Sequence, residues 1–128
     1  MIDIEYMVLI VEDEDLNYIF LEEMLQDYKV TVIHVKNGME AVEMVKNNPN
    51  INLVLMDIKM PIMNGYEAAK LINEQRPDLP IVFQSCYSLP TDVRKAYANG
   101  GVDFIPKPIN LDTFSSKMNK FIPSINFK

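Results

Sequence analysis

Cysteine is nearly absent from this sequence: its 128 residues include one, Cys86. A single thiol excludes an internal disulfide and a zinc cage of cysteines, and it is typical of a reducing compartment. Histidine is equally scarce, since His34 stands alone, so no histidine–cysteine cluster indicates zinc. These absences predict a cytoplasmic protein without a zinc centre.

Long hydrophobic runs and an excess of basic residues are also missing. The longest uninterrupted apolar run, Met7–Val11, is far shorter than the roughly 20 residues that span a bilayer. The first residues, MIDIEYMVLIVEDED, are acidic where a signal peptide would be basic, so we do not expect secretion. The net charge of −6 argues against a face that binds phosphate backbones. The sequence therefore predicts no direct contact with membranes or nucleic acids.

What the sequence does contain is a regular alternation, over a length that suits one domain at 1–128. Apolar runs rich in valine and isoleucine recur at 7–11, 30–35, 52–56, 80–83 and 102–105. Most of them do not alternate with polar residues, which is typical of strands buried on both faces of a parallel sheet.

A stretch with helical periodicity follows each apolar run. The first apolar stripe comprises Leu16, Ile19, Phe20, Met24 and Leu25, and we assign it and the later stripes to the core. The last stripe begins at Leu111, where Asn110 or Asp112 could cap a helix. Five strand–helix pairs predict a doubly wound (βα)5 fold of the α/β class. The closing PSINFK segment is expected to fray.

Charged and polar residues follow the predicted strands, where such folds bind ligands. Glu12 and Asp13 follow the first strand, Asp57 the third and Lys107 the fifth, and Ser85 lies near the end of the fourth. A buried carboxylate costs free energy unless it is paired, and neighbouring acids add repulsion. Lys107 supplies one positive charge, and a hard divalent cation such as Mg²⁺ would balance the remaining acids.

Four motifs, in order, carry a resemblance to a known family. They are VLIVEDED with Asn17 beyond it, LVLMDIKMPIMNGYEA, the Gln84-Ser85-Cys86 tripeptide after PIVF, and FIPKPIN. Over residues 5–122 the chain resembles the receiver domain of two-component response regulators. The resemblance implies a flavodoxin-like fold with strand order 2-1-3-4-5 and a role in phosphorelay signalling.

The resemblance also implies a role for individual residues. Asp57 would accept a phosphoryl group from a phosphohistidine on a sensor histidine kinase or a histidine phosphotransfer domain. The implied ligands of Mg²⁺ (or Mn²⁺) are Glu12, Asp13, Asp57 and the Lys59 main-chain carbonyl. Ser85 and Lys107 would complete the catalytic set, and Phe104 would be the switch aromatic that turns inward when the Ser85 hydroxyl moves. The Lys107–Pro108 peptide would be cis.

Such a module is a phosphoacceptor and no turnover enzyme, although it transfers and hydrolyses its own phosphoryl group. Phosphorylation would reshape the surface of helix four, strand five and helix five, which could support a phosphorylation-dependent dimer. The bulk of Tyr87, two residues after Ser85, predicts slow autodephosphorylation. The EDEDLN opening is similar to receivers of hybrid sensor kinases, so the chain would act in the cytoplasm or on the cytoplasmic side of a membrane-bound kinase.

Three positions depart from the family pattern. Glu12 stands where Asp is commoner, which predicts a carboxylate displaced outward. Ser85 replaces the commoner Thr, and Cys86 replaces the commoner Ala.

The main alternative function is that of a pseudo-receiver, which keeps the fold as an interaction module. A flavodoxin-like electron carrier would need a Ser/Thr/Gly-rich loop where EDEDLN stands. An aspartyl-phosphate phosphatase would need a second Asp where Lys59 lies.

Overall fold

The five apolar runs form one parallel sheet in the computed structural model, which describes residues 5–128. The strand order is β2-β1-β3-β4-β5, as the resemblance implies. The strands are β1 (Met7–Val11), β2 (Thr31–Val35), β3 (Ile51–Met56), β4 (Ile81–Ser85) and β5 (Asp103–Pro106). The helices are α1 (Asp15–Met24), α2 (Gly38–Asn47), α3 (Gly65–Gln75), α4 (Pro90–Ala98) and α5 (Leu111–Phe121).

Two apolar layers cover the faces of the sheet. Successive residues of a strand point to opposite faces, so Leu9 joins the layer beneath α2 and α3, while Ile10 joins the layer beneath α1 and α5. Strands β1 and β4 are buried on both faces, which confirms the prediction for them. Strand β2 is half-exposed instead, because it lies at the edge of the sheet.

Asparagine side chains cap three of the helices. Asn37, Asn64 and Asn110 each accept hydrogen bonds from main-chain N–H groups in the first turn of the helix that follows. Such bonds satisfy donors that a helix start leaves free. Of the two candidates for α5, Asn110 is therefore the cap, while Asp112 lies inside the first turn.

The prediction that each whole apolar stripe is core is wrong for α1. Leu16, Ile19 and Phe20 are exposed, and the buried side of this helix is formed by Leu21 and Met24. The buried face of the helix is displaced from the predicted stripe, because Leu21, which lies outside the stripe, is buried. Three apolar residues on later helices are exposed as well, namely Met39, Leu71 and Leu111.

The expectation of a fraying tail is also wrong. Residues Ser124–Asn126 form a 3₁₀ turn, and Phe127 pairs with Tyr28 in an antiparallel bridge. The two aromatic rings meet edge to face with centroids 5.4 Å apart. The Asn126 amide donates to the Lys29 carbonyl at 2.9 Å, so the tail is part of the folded domain.

The fold brings the carboxyl ends of β1, β3, β4 and β5 to one rim of the sheet. In parallel sheets these ends carry the loops that bind ligands. Among residues 5–128, no helix combines the length and the apolar character that crossing a membrane requires.

Candidate functional site

Glu12 is the first residue beyond β1 and is fully buried. Its main-chain N–H donates to the Val35 carbonyl at 3.1 Å, which extends the pairing of β1 with β2 by one residue. The Lys107 ammonium donates to Glu12 Oε1 at 2.7 Å, and the Glu14 N–H donates to Oε2 at 3.2 Å. The carboxylate therefore points into the rim against Lys107, which contradicts the expectation that the longer side chain would carry it outward.

Asp57 is the first residue beyond β3 and is 8% exposed. Its main-chain N–H donates to the Val11 carbonyl at 3.0 Å, so the sheet itself places this side chain beside Glu12. Asp57 Oδ1 accepts a hydrogen bond from the Ile58 N–H at 2.8 Å, and Oδ2 lies 3.7 Å from Lys107 Nζ. One carboxylate oxygen is thus held by the backbone, while the other faces the ammonium group.

Three carboxylates meet at this rim. Glu12, Asp13 and Asp57 each offer an oxygen, and these oxygens all lie within 4.8 Å of one another. Carboxylate oxygens are the ligands of hard divalent cations, and Mg²⁺ is commonly held by one or two of them. The donor set therefore fits Mg²⁺, with Lys107 as a competing positive charge on Glu12.

Burial and the neighbouring acid Glu12 shift the pKa of Asp57. Burial, followed by repulsion from Glu12, raises the pKa of Asp57 to about 7, against attraction by Lys107 and the Ile58 hydrogen bond. Each additional positive charge at the cluster would favour the ionised carboxylate and lower this pKa. A divalent cation among these acids would therefore favour the ionised form of Asp57.

Ser85 and Tyr87 form the β4 side of the rim. The Ser85 hydroxyl oxygen accepts a hydrogen bond from the Tyr87 N–H at 3.0 Å, and the Ser85 side chain is buried. The Tyr87 ring is 46% exposed, and the Lys59 ammonium lies 5.9 Å from its centroid. The loops after β3 and β4 are therefore joined by a contact between Lys59 and Tyr87.

Phe104 and Lys107 are contributed by β5 and the loop after it. The Lys107 N–H donates to the Ser85 carbonyl at 2.8 Å, and the Lys107–Pro108 peptide is cis, as the resemblance implies. Phe104 is 7% exposed and packs in the layer beneath α2 and α3. Phe104 is therefore part of the buried core beside β4.

The loop from β3 to α3 needs a glycine close to Asp57. A Cβ at Gly65 would collide with the Asp57 carbonyl oxygen, and the Gly65 N–H donates to the Ile58 carbonyl at 2.7 Å. This close approach folds the loop back over the strand end. Ile62, at the tip of the loop, has a φ of 71°, which is unusual for a β-branched residue.

One contact at the rim was missed by the sequence analysis. His34 Nε2 lies 2.8 Å from the Glu12 carbonyl oxygen, and the His34 ring stacks on Tyr18. The implied strand order already placed β2 beside β1, but it did not specify which side chain of β2 would reach the Glu12 carbonyl.

Comparison with known proteins gives a consistent result. The family model described as "Response regulator receiver domain" matches residues 8–119. The two-component response regulator ORR11 of Oryza sativa subsp. indica is 28% identical over 118 residues, which are 91% of this chain and 80% of that protein.

Two solved structures show the same likeness. The receiver domain of Ssk1, crystallised with the histidine phosphotransfer signalling protein Ypd1 of Saccharomyces cerevisiae, has a TM-score of 0.82 and 32% identity; the match covers 91% of this chain and 88% of that one. The receiver domain of the sensor histidine kinase PA1611 from Pseudomonas aeruginosa, with magnesium in its active-site cleft, has a TM-score of 0.82 and 25% identity, with coverages of 92% and 98%. The pseudo-receiver alternative gains no support from these matches. The chain belongs to the response regulator receiver domains of two-component phosphorelays.

Proposed function

We propose that Asp57 is the phosphoacceptor of this receiver domain, and that residues 1–128 form one phosphoacceptor unit. The observation that carries the proposal is the meeting of the Asp57 carboxylate with two further acids and with the Lys107 ammonium, 3.7 Å away. This arrangement joins a nucleophile to the positive charge that a phosphoryl group requires.

In the proposed step, an Asp57 oxygen attacks phosphorus on the phosphohistidine of the donor. The Oδ–P bond forms, the P–N bond breaks, and its electron pair remains on the donor imidazole. Oδ2 is the oxygen suited to the attack, because Oδ1 already accepts the Ile58 hydrogen bond. Lys107, which faces Oδ2, would bind one of the phosphoryl oxygens.

Glu12, Asp13 and Asp57 are the proposed side-chain ligands of Mg²⁺, with the main-chain carbonyl of Lys59 as a fourth ligand. The support is the separation of the three carboxylates, together with the preference of Mg²⁺ for oxygen. When bound, the cation offsets the charge that accumulates on the phosphoryl oxygens. Mn²⁺ has the same ligand preference and would replace it.

Ser85 and Phe104 are the proposed switch. The Ser85 hydroxyl is free to donate, since its oxygen is the acceptor in the bond with Tyr87. A phosphoryl oxygen on Asp57 would attract this donor and change the packing of β4 against Phe104. We expect the change to reach the surface of α4, β5 and α5, where it could support a phosphorylation-dependent dimer.

The proposed donors are a sensor histidine kinase or a histidine phosphotransfer protein. The Ssk1 receiver was crystallised with such a phosphotransfer protein, and the PA1611 receiver belongs to a sensor histidine kinase. We propose that this chain works in the cytoplasm, alone or as part of a hybrid kinase, where the kinase activity would lie in another domain.

The phosphoacceptor is tested by incubation with acetyl phosphate and Mg²⁺, followed by intact-mass measurement. We expect the wild-type chain to gain one phosphoryl group, and to gain none when EDTA replaces the metal. Asp57→Asn should gain none, because the attacking oxygen is replaced by nitrogen. Asp78→Asn, which changes a largely exposed acid, is the matched control and should behave as wild type. Labelling of Asp57→Asn at the wild-type level would contradict the proposal.

We further propose that Tyr87 slows autodephosphorylation by restricting the approach of water to the acyl phosphate. The support is the position of Tyr87 two residues after Ser85, with its ring 5.9 Å from the ammonium of Lys59, which lies two residues after Asp57. Tyr87→Ala should raise the first-order decay rate of the phosphorylated protein in Mg²⁺ buffer by about threefold or more, roughly 0.7 kcal/mol of barrier.

Tyr97 provides the matched control for this rate. It is a tyrosine on α4 that is 47% exposed, against 46% for Tyr87, and Tyr97→Ala should leave the decay unchanged. An equal decay rate in wild type and Tyr87→Ala would rule out the obstruction.

A further inference from the structure

Every polar atom of Glu12 is engaged. Its N–H donates to the Val35 carbonyl, its Oε1 accepts from Lys107, and its Oε2 accepts from the Glu14 N–H. The remaining atom, the carbonyl oxygen, lies 2.8 Å from His34 Nε2. A side chain from the neighbouring strand therefore completes the contacts of a residue that is fully buried.

We propose that His34 is a positioning residue for the candidate cation site: its imidazole N–H holds the Glu12 carbonyl and thereby orients the Glu12-Asp13 segment. This inference rests on the proposed function, because it assigns a role toward the cation that Glu12 and Asp13 would bind. A carbonyl only accepts hydrogen bonds, so Nε2 carries the proton in this contact.

The peptide bond explains how one hydrogen bond reaches both acids. The Glu12 carbonyl belongs to the peptide unit that joins Glu12 to Asp13, and this unit is planar. When the oxygen is held, the direction of the whole plane is held, and with it the Cα from which the Asp13 side chain leaves. His34 thus acts on two candidate ligands through the backbone that they share.

The His34 ring is itself fixed by the helix that follows the acidic segment. It stacks on Tyr18 of α1 with centroids 3.7 Å apart and an interplanar angle of 3°. Tyr18 is held in turn, because its hydroxyl donates to Glu22 Oε2 at 2.6 Å and its N–H donates to the Glu14 carbonyl at 3.1 Å. Strand β2 therefore contacts the acidic segment at the Glu12 carbonyl, and helix α1 contacts it at the Glu14 carbonyl.

A purely structural role would predict lower stability without a change at the cation site. In metal sites, removal of a group that orients a ligand typically lowers the affinity for the metal by about tenfold or more. The affinity of the folded protein for a divalent ion therefore separates positioning from simple stabilisation. The affinity can be measured without any phosphoryl donor, from the EPR signal of free Mn²⁺ during a titration with MnCl₂.

Two substitutions of His34 test its two contacts separately. His34→Phe keeps an aromatic ring against Tyr18 and removes the donor to Glu12, whereas His34→Gln keeps an N–H donor of similar reach and removes the ring. The matched control is Tyr6→Phe, which removes the 3.1 Å hydrogen bond from a buried tyrosine hydroxyl to the Phe121 carbonyl. If His34→Phe does not fold, His34→Met, which also lacks a donor, takes its place.

We expect one Mn²⁺ to bind the wild type, with about tenfold weaker binding in His34→Phe and an affinity within about threefold of wild type in His34→Gln and Tyr6→Phe. Wild-type affinity in His34→Phe, or equal losses in both His34 variants or in Tyr6→Phe, would overturn the positioning role while leaving the cation site intact. A wild-type protein that binds no Mn²⁺ would instead contradict the proposed cation site itself.

Discussion

At the scale of single residues, the surroundings of Asp57 disfavour its ionised form. It lies at a buried strand end beside Glu12, which is fully buried, and these two acids share one lysine. Lys107 is closer to Glu12, at 2.7 Å, than to Asp57, at 3.7 Å. Burial of Asp57, followed by repulsion from Glu12, raises its pKa to about 7, and the more distant Lys107 offsets only part of this rise.

Because the folded state disfavours ionisation of Asp57, we predict that Asp57→Asn stabilises the cation-free protein at high pH. The native state retains a proton on Asp57 up to about pH 7, whereas the unfolded chain releases it near the ordinary pKa of 3.8. The stability that this proton confers is complete below the ordinary pKa and is lost as the pH rises through 7. The gain in unfolding free energy from Asp57→Asn should therefore grow, by up to about 3 kcal/mol, from about pH 5 to about pH 8.

Urea denaturation in EDTA measures this difference. Asp78 is the matched control, since it is largely exposed and pairs with Arg76 at 3.5 Å. Asp78→Asn should shift the unfolding free energy by less than about 0.5 kcal/mol across the same pH range. A gain from Asp57→Asn that is independent of pH would show that Asp57 is ionised throughout.

At the scale of elements, a third buried acid, Asp103, links β5 to α5 at the opposite end of the strand. Asp103 Oδ1 accepts hydrogen bonds from Lys117 Nζ at 2.7 Å and from the Phe104 N–H at 2.9 Å. Burial raises the pKa of Asp103, but Lys117, the Phe104 N–H and Lys120 outweigh it and lower this pKa below its usual value. This acid is therefore compensated by its partners, in contrast to Asp57.

The Asp103 pairing predicts a pH dependence of the opposite sign. Because its folded pKa is depressed, Asp103 contributes stability above its ordinary pKa and loses it as the pH falls through the folded value. Asp103→Asn should lower the unfolding free energy by about 2 kcal/mol near neutral pH, with a smaller loss in acid. The measurement is urea denaturation at the two pH values.

The two lysines give a matched pair for this test. Lys117 lies 2.7 Å from Asp103 and is largely buried, whereas Lys120 lies 3.7 Å away and is 59% exposed. Lys117→Met should therefore destabilise the protein by more than Lys120→Met, whose effect we expect to be below about 1 kcal/mol. Equal effects would mean that the Asp103–Lys117 pair does not anchor α5 to β5.

At the scale of the whole molecule, the final residues return to the turn between α1 and β2. The Lys29 N–H donates to the Asn126 carbonyl, and the Lys128 N–H donates to the Asp27 carbonyl at 2.9 Å. Phe127 packs against the apolar layer beneath α1 and α5. The tail thereby covers the end of the domain opposite the acidic rim.

We expect Phe127→Ala to lower the unfolding free energy by about 2 kcal/mol, because a half-buried aromatic ring and its contact with Tyr28 are lost. Ile125 is the matched control, since it lies in the same segment and is 59% exposed. Ile125→Ala should change the unfolding free energy by less than about 0.5 kcal/mol. Thermal or urea denaturation gives both values, and equal losses would contradict the docking of the tail.

The order of elements could be predicted from local patterns, whereas the side of each helix that is buried could not. Strand β1 reads as five consecutive apolar residues and is buried throughout. Helix α1 carries more apolar residues than the sheet covers, so Leu16 and Phe20, although apolar, are exposed. Burial depends on the line of contact between two elements, and no single segment contains that information.

By itself, the sequence determined that acids follow the first and third strands and that a lysine follows the fifth, because strand periodicity and motif spacing are local properties. Only the tertiary structure decided that Lys107 pairs more closely with Glu12 than with Asp57, and that His34 reaches the Glu12 carbonyl. These contacts join residues far apart in the chain, since 95 positions separate Lys107 from Glu12. Their distances depend on the order and alignment of all five strands, which no single segment of the sequence specifies.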